Sequence, residues 1–252
     1  VLRTSHDHLR DVVETLGDRG PSSPSYCTDW TIAQVLSHLG SGAEIARMGL
    51  EAALSGNPPP DRERYTDVWA RWDAYAPEVM VAEGLASDEA HIARLEGLDD
   101  AELDALAVPW FDGSTLDASG VVVWRLAEHA VHTWDVEVME RPAAGIAPSA
   151  TDLLVHRVPE RVGIFARGVR PAVLPSVIEF TTTDREISFS IAVTADGVAA
   201  GAPVDAPTRV EIPSEALIRL TYGRLDPEHT PEAVTVTGTL GLDDLRALFP
   251  GF

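Results

Sequence analysis

The stretch 121–138, V-V-V-W-R-L-A-E-H-A-V-H-T-W-D-V-E-V, constrains the fold more than any other part of the chain. Its pattern predicts one long helix from about Leu116 to Met139, with Glu128 and His132 on one face and about 5.4 Å, one turn, apart. The surrounding Val121, Val122, Val123, Leu126, Val131, Val136 and Val138 call for burial. A carboxylate and an imidazole in such surroundings are costly unless something compensates them, and a divalent cation is one such group.

The partners for this helix lie upstream. Leu2 to Leu16 repeats Leu2, Leu9, Val12, Val13 and Leu16 at helical spacing, and His6 and His8, two positions apart, are expected at its surface. After a loop dense in Gly, Pro and Ser, Thr28 or Asp29 is placed to cap a helix whose Ile32, Val35, Leu36, Leu39, Ala43 and Ala46 form an apolar stripe. His38 sits beside that stripe. Residues 61–98 predict one or two further helices, kinked or split at Pro77 and Gly84, with His91 exposed among acidic neighbours. A short acidic helix at Asp100–Leu106 completes the set. Four substantial amphipathic helices joined by loops imply a four-helix bundle over residues 1–147.

The pattern changes at R-P-A-A-G-I-A-P. Residues 150–167 read as a helix, irregular at Pro159, before V-I-E-F-T-T-T and E-I-S-F-S-I-A-V alternate apolar and polar residues as a hairpin across Asp184 and Arg185. T-R-V-E-I, a helix from Ser214 to Tyr222, the strand A-V-T-V-T-G and a last helix ending F-P-G-F follow. Residues 148–252 therefore predict an α+β domain with a mostly antiparallel or mixed sheet.

Composition narrows the function. A net charge of -21 disfavours nucleic acid and anionic membrane as partners, since both need clustered positive charge. All 19 basic residues are Arg, which removes Schiff-base lysine chemistry and the phosphate-binding lysine of a P-loop, and suggests a GC-rich genome. The single cysteine, Cys27, excludes an internal disulfide and a Cys-rich zinc site, and is expected to be a small buried hydrophobe. No apolar run approaches the roughly 18 residues of a membrane span, and the charged first residues lack the apolar core of a secretory signal. A cytoplasmic protein, monomeric or a small homo-oligomer, is the expectation.

Bundle cores assemble metal sites from facing helices. His38 with Glu128 and His132 would supply two imidazoles and a carboxylate, suited to zinc or a similar divalent ion with one position left open. By helical phase His129 faces away from that site. Asp135, nearly in phase with Glu128, is placed either to orient a ligand histidine or to pair with an arginine such as Arg125.

W-T-I-A-Q-V-L-S-H-L-G-S-G-A-E and L-A-E-H-A-V-H-T-W-D resemble the N-terminal domain of the mycothiol-dependent maleylpyruvate isomerase family, related to DinB-like metal-binding bundles. The ending, A-L-I-R-L-T-Y-G-R-L and V-T-G-T-L-G-L-D-D-L-R-A-L-F-P-G-F, resembles that family's sterol-carrier-like C-terminal domain. The resemblance implies zinc held by His38, Glu128 and His132, and mycothiol as the thiol cofactor. It also implies an isomerase of maleylpyruvate or a similar unsaturated acid, or a transferase that passes the thiol to an electrophile. Arg224, with Arg219 second, is the expected receiver of a substrate carboxylate; a surface ion pair is the competing role. A metal-stabilised small-molecule-binding or regulatory protein without catalysis is the alternative from another class.

Overall fold

The computed structural model describes residues 1–16, 19–110, 113–168 and 174–251. The chain divides into two compact units, Val1–Ala144 and Gly145–Phe252. Phe111 and Asp112, of the segment V-P-W-F-D-G-S-T that the sequence reads as a loop, and the terminal Phe252 lie outside the described residues.

In the first unit α1 (Leu2–Glu14), α2 (Ile32–Leu54), α4 (Pro77–Glu96) and α6 (Ala118–Glu137) form the four-helix bundle. α2 packs on α4 and α6, and α1 packs on α6 and α4. The shorter α3 (Arg62–Asp73) lies on α2. α5 (Asp100–Ala105) precedes a small antiparallel pair, β1 (Val108–Pro109) and β2 (Thr115–Leu116). The stripe read from the sequence is the core: Leu9, Val12, Leu16, Ile32, Val35, Leu36, Leu39 and Val136 pack together.

Two local details differ from expectation. α2 is capped by Thr31, not Thr28 or Asp29: the Thr31 hydroxyl accepts the Gln34 N–H at 3.2 Å and the Gln34 side chain accepts the Thr31 N–H at 2.8 Å. Asp29 instead takes a left-handed turn, φ 67°. Pro77 opens α4 at its first turn, where its missing N–H costs nothing, and the helix runs unbroken through Gly84. Gly84 serves close packing: a Cβ there would stand 2.6 Å from the Leu36 carbonyl oxygen, so its absence lets α2 and α4 approach backbone to backbone.

The second unit opens with α7 (Pro148–Leu154), a 3-10 turn at Val155–Arg157 and α8 (Val158–Phe165). The irregularity therefore precedes Pro159, which sits in the first turn of α8. Its mixed sheet has the order β5-β4-β3-β6-β7, built from β3 (Ser176–Thr182), β4 (Ser188–Val193), β5 (Val198–Gly201), β6 (Thr208–Ile212) and β7 (Thr235–Gly238). β3 and β4 form the expected hairpin with Phe180 opposite Phe189, and β3 runs parallel to β6. Alternation buries Ile178, Phe180, Ile191, Val193, Val210 and Ile212. α9 (Ser214–Thr221) and α10 (Leu242–Leu248) complete the unit, and Asp184 accepts both the N–H and the hydroxyl of Ser214 at 2.8 Å, satisfying the start of α9. No helix among the described residues is long and apolar enough to cross a membrane.

Candidate metal centre

Arg125, Glu128, His129 and His132 stand at i, i+3, i+4 and i+7 of α6, one broad polar stripe whose two edges meet different neighbours. One carries Glu128 and His132 toward α2. His38 Nε2 lies 3.0 Å from Glu128 Oε2, and His132 Nε2 lies 3.8 Å from the same oxygen. The donor atoms of His38, Glu128 and His132 all fall within 4.8 Å of one another. The His38 and Glu128 side chains are 40% and 28% exposed, so the cluster opens to solvent. Burial pushes the Glu128 carboxyl up, but the hydrogen bond from His38 and the charges of His132, His38 and Arg125 outweigh it and hold the group at about 2. It is therefore an ionised carboxylate.

His132 is held from behind. Its Nδ1 lies 2.8 Å from Asp135 Oδ2, and the Cys27 thiol donates to that same oxygen at 3.0 Å. A carboxylate on Nδ1 keeps the proton there and turns the Nε2 lone pair toward Glu128 and His38, the arrangement typical of metal-ligating histidines. Two imidazoles, an ionised carboxylate and a fixed tautomer fit zinc or a similar divalent ion. Cys27 is thus not the inert hydrophobe expected: it is half-buried and bonded to the residue that positions His132. Asp135 pairs with His132 rather than with Arg125.

Arg125 belongs to the other edge of the α6 stripe. It donates from Nε and Nη2 to Asp88 Oδ1 at 3.0 and 2.7 Å, and from Nη2 to the Leu39 carbonyl at 2.7 Å. His6 Nδ1 and His129 Nε2 approach Asp88 Oδ2 at 2.7 and 2.6 Å. This cluster is buried throughout, with His6 at 2% exposure and not at the surface as expected. Burial pushes the Asp88 carboxyl up, but Arg125, then His129 and His6, hold it well below the usual carboxylate range. Although His6, Asp88 and His129 have metal-ligand geometry, Arg125 already balances the carboxylate, so the cluster stands as a pin between α1, α2, α4 and α6. His91, expected exposed, is fully buried beside it, and neither ring nitrogen has a hydrogen-bond partner among the described residues.

The comparison with known families decides what bundle this is. Residues 2–137 match the family model described as the mycothiol maleylpyruvate isomerase N-terminal domain. The chain belongs to this family. All three residues of the open cluster, and Asp135 with Cys27 behind them, lie inside the matched stretch. The fold as a whole is similar to two solved structures. One is described as the mycothiol-dependent maleylpyruvate isomerase, with TM-score 0.69, 15% identity, and 95% of this chain and 92% of that chain covered. The other is described as a mutant of that isomerase, with TM-score 0.68, 14% identity and the same coverage. No curated protein matches the sequence.

Beyond the part that matches the maleylpyruvate isomerase N-terminal domain, the structure places Arg219 and Arg224 inside the second unit. Arg219 is 3% exposed, forks onto Glu215 at 2.7 and 2.9 Å, and gives Nη1 to the carbonyls of Arg224 and His229. Its donors are spent on holding the end of α9. Arg224 is also buried, and its Nη1 donates to the Tyr222 carbonyl at 2.6 Å.

Proposed function

We propose that this protein is a divalent-metal-dependent enzyme that uses mycothiol to isomerise maleylpyruvate or a similar unsaturated keto acid, or to pass the thiol to an electrophile. One observation carries the reading. In a chain of this family, His38, Glu128 and His132 converge on a solvent-open point, with Asp135 orienting His132 from behind. Zinc or a related ion held there would lower the pKa of the cofactor's thiol and so make a thiolate available at neutral pH.

The isomerisation needs little from the protein beyond placement. The thiolate adds to one carbon of the cis double bond, and the electron pair moves into the conjugated carbonyl as an enolate. The resulting single bond rotates; collapse of the enolate then expels the thiolate and leaves the trans alkene. Thiol is neither consumed nor oxidised. In a transferase the same addition, or displacement of a leaving group, would end with the thioether. His132 keeps its proton on Nδ1 through Asp135, and ionised Glu128 completes the ligand set. Arg224 is the residue to test as the receiver of a substrate carboxylate, on the resemblance of Y-G-R to the family's ending. Arg219, committed to Glu215, is the weaker of the two.

The test is metal content of the purified chain beside His38→Ala, followed by mycothiol-dependent conversion of maleylpyruvate. The reading expects about one divalent ion per wild-type chain, loss of most of it in the variant, and turnover only with thiol present. A wild-type chain that binds no divalent ion defeats the site. Metal binding without thiol-dependent turnover of maleylpyruvate or of model electrophiles favours the non-catalytic alternative.

A further inference from the structure

The loop that leads into α2 is tied to the metal-centre helix at several points and presents one large aromatic side chain beside the ligands. Tyr26 donates its N–H to the Asp135 carbonyl at 2.8 Å, and the Cys27 thiol donates to the Asp135 carboxylate at 3.0 Å. The loop closes on itself through Ser25, whose N–H and hydroxyl both reach the Trp30 carbonyl, at 3.0 and 2.9 Å. Asp29, the one non-glycine described residue with positive φ, makes the turn that delivers Trp30. Aspartate tolerates the left-handed region better than most residues, and here it makes the turn within a loop fixed at both ends.

What it places is an indole against two of the proposed ligands. The Trp30 ring centroid lies 5.3 Å from that of His38 and 6.4 Å from that of His132, with the His132 ring plane within 23° of its own. Trp30 keeps 37% of its surface exposed, although it is the type of side chain that gains most from burial. Its exposed surface and the part-exposed His38 both border the solvent-open cluster.

An indole face is uncharged and electron-rich. It offers nothing to offset the desolvation of a carboxylate, which a cation serves better. It does suit the C–H face of a neutral sugar ring, whose hydroxyls can remain in water. Of the two molecules in the proposed reaction, the unsaturated acid is anionic, whereas the thiol is borne on a neutral sugar–cyclitol unit.

We propose that Trp30 is a specificity-determining residue that packs against the carbohydrate part of the thiol cofactor, so that the site distinguishes a sugar-borne thiol from a simple one. The inference rests on the thiol reading above. It makes Trp30 a contact for the cofactor's body, separate from the residues that meet its sulfur.

The experiment measures equilibrium binding to the metal-loaded full chain by calorimetry, with mycothiol and with N-acetylcysteinamide, the same acylated cysteine with an uncharged amide in place of its sugar. Wild type, Trp30→Phe and Trp30→Ala are compared, and the metal content of each is determined. Trp30→Ala should weaken mycothiol by about tenfold, the upper range for loss of one aromatic contact, and leave N-acetylcysteinamide unchanged. Trp30→Phe should retain most of the preference. Equal weakening of both thiols, loss of metal in Trp30→Ala, or no change in either affinity overturns the assignment. A wild-type chain that holds its metal but binds no mycothiol overturns the thiol reading itself, which separates the two failures.

Discussion

The buried His91 gives the bundle an acid lability that one substitution should remove. His91 is fully buried in α4, and burial first, then the charge of Arg125, lowers its titration from the ordinary 6.5 to about 4, with Asp88 opposing. Arg47 and His129 act in the same direction as Arg125. A histidine whose folded pKa is depressed stays neutral in the fold while the unfolded chain takes up a proton. The fold therefore has its full stability above pH 6.5 and loses it as pH falls toward 4. At pH 5 that difference amounts to about 2 kcal/mol from this one residue. His91→Leu replaces the imidazole with an apolar side chain of similar size and deletes two buried nitrogens that have no partner among the described residues. Urea denaturation of the metal-free chain, wild type beside variant, at pH 7.5 and pH 5 isolates the effect, because every other titrating group is shared. The variant should match or exceed wild type at pH 7.5 and keep about 2 kcal/mol more of its stability on going to pH 5. Parallel losses in the two proteins would refute the argument that His91 is neutral in the folded state.

Asp135→Asn should weaken divalent-metal affinity by about ten- to a hundredfold, measured by chelator competition, because an amide orients His132 without the charge that strengthens it as a ligand; unchanged affinity would remove Asp135 from the site. Gly84→Ala should cost about 2–3 kcal/mol, seen as a fall of several degrees in Tm, since the new Cβ would meet the Leu36 carbonyl oxygen at 2.6 Å and backbone yields little; a Tm within a degree of wild type would show that α2 and α4 can separate cheaply.

What the sequence displays and what it conceals follow from how far apart the interacting residues lie. The bundle helices show themselves through local periodicity, and Glu128 with His132 is an i,i+4 pair that any helix over those residues puts on one face. Nothing local ties His38 to them, since it lies 90 residues from Glu128; the expectation that facing bundle helices share a site proposed it, and the family resemblance of its motif added weight. His6 and His91 were assigned to the surface because periodicity treats a polar residue as outward-facing. His6 is buried on Asp88, 82 residues away, which no short pattern connects to it or to Arg125, whereas His91 lies in the core of α4 with no hydrogen-bond partner among the described residues. Cys27 was misjudged for the same reason, its partner Asp135 being 108 residues away. Gly84 carried a signal that was read as a helix breaker, whereas its role is close approach, a property of the neighbouring helix. The edge strand β5, V-A-A-G, has Val198 as its single branched residue and no aromatic one, and is held by its pairing with β4.

The buried pin and the open cluster are mechanically one arrangement. Arg125 and His129, four apart on α6, grip Asp88 of α4, while Glu128 and His132, also four apart, face His38 of α2. The guanidinium of Arg125 also donates to the carbonyl of Leu39, the residue that follows His38. That bond ties the α2 backbone beside His38 to α6, and so supports the register between α2 and α6 in which His38 approaches Glu128 at 3.0 Å. A site whose ligands come from two helices needs such support, because a slip of even about 1 Å between them would separate the donors. The burial of an arginine–aspartate pair in this bundle core therefore has a use beyond stability, which alone would not justify the desolvation it costs.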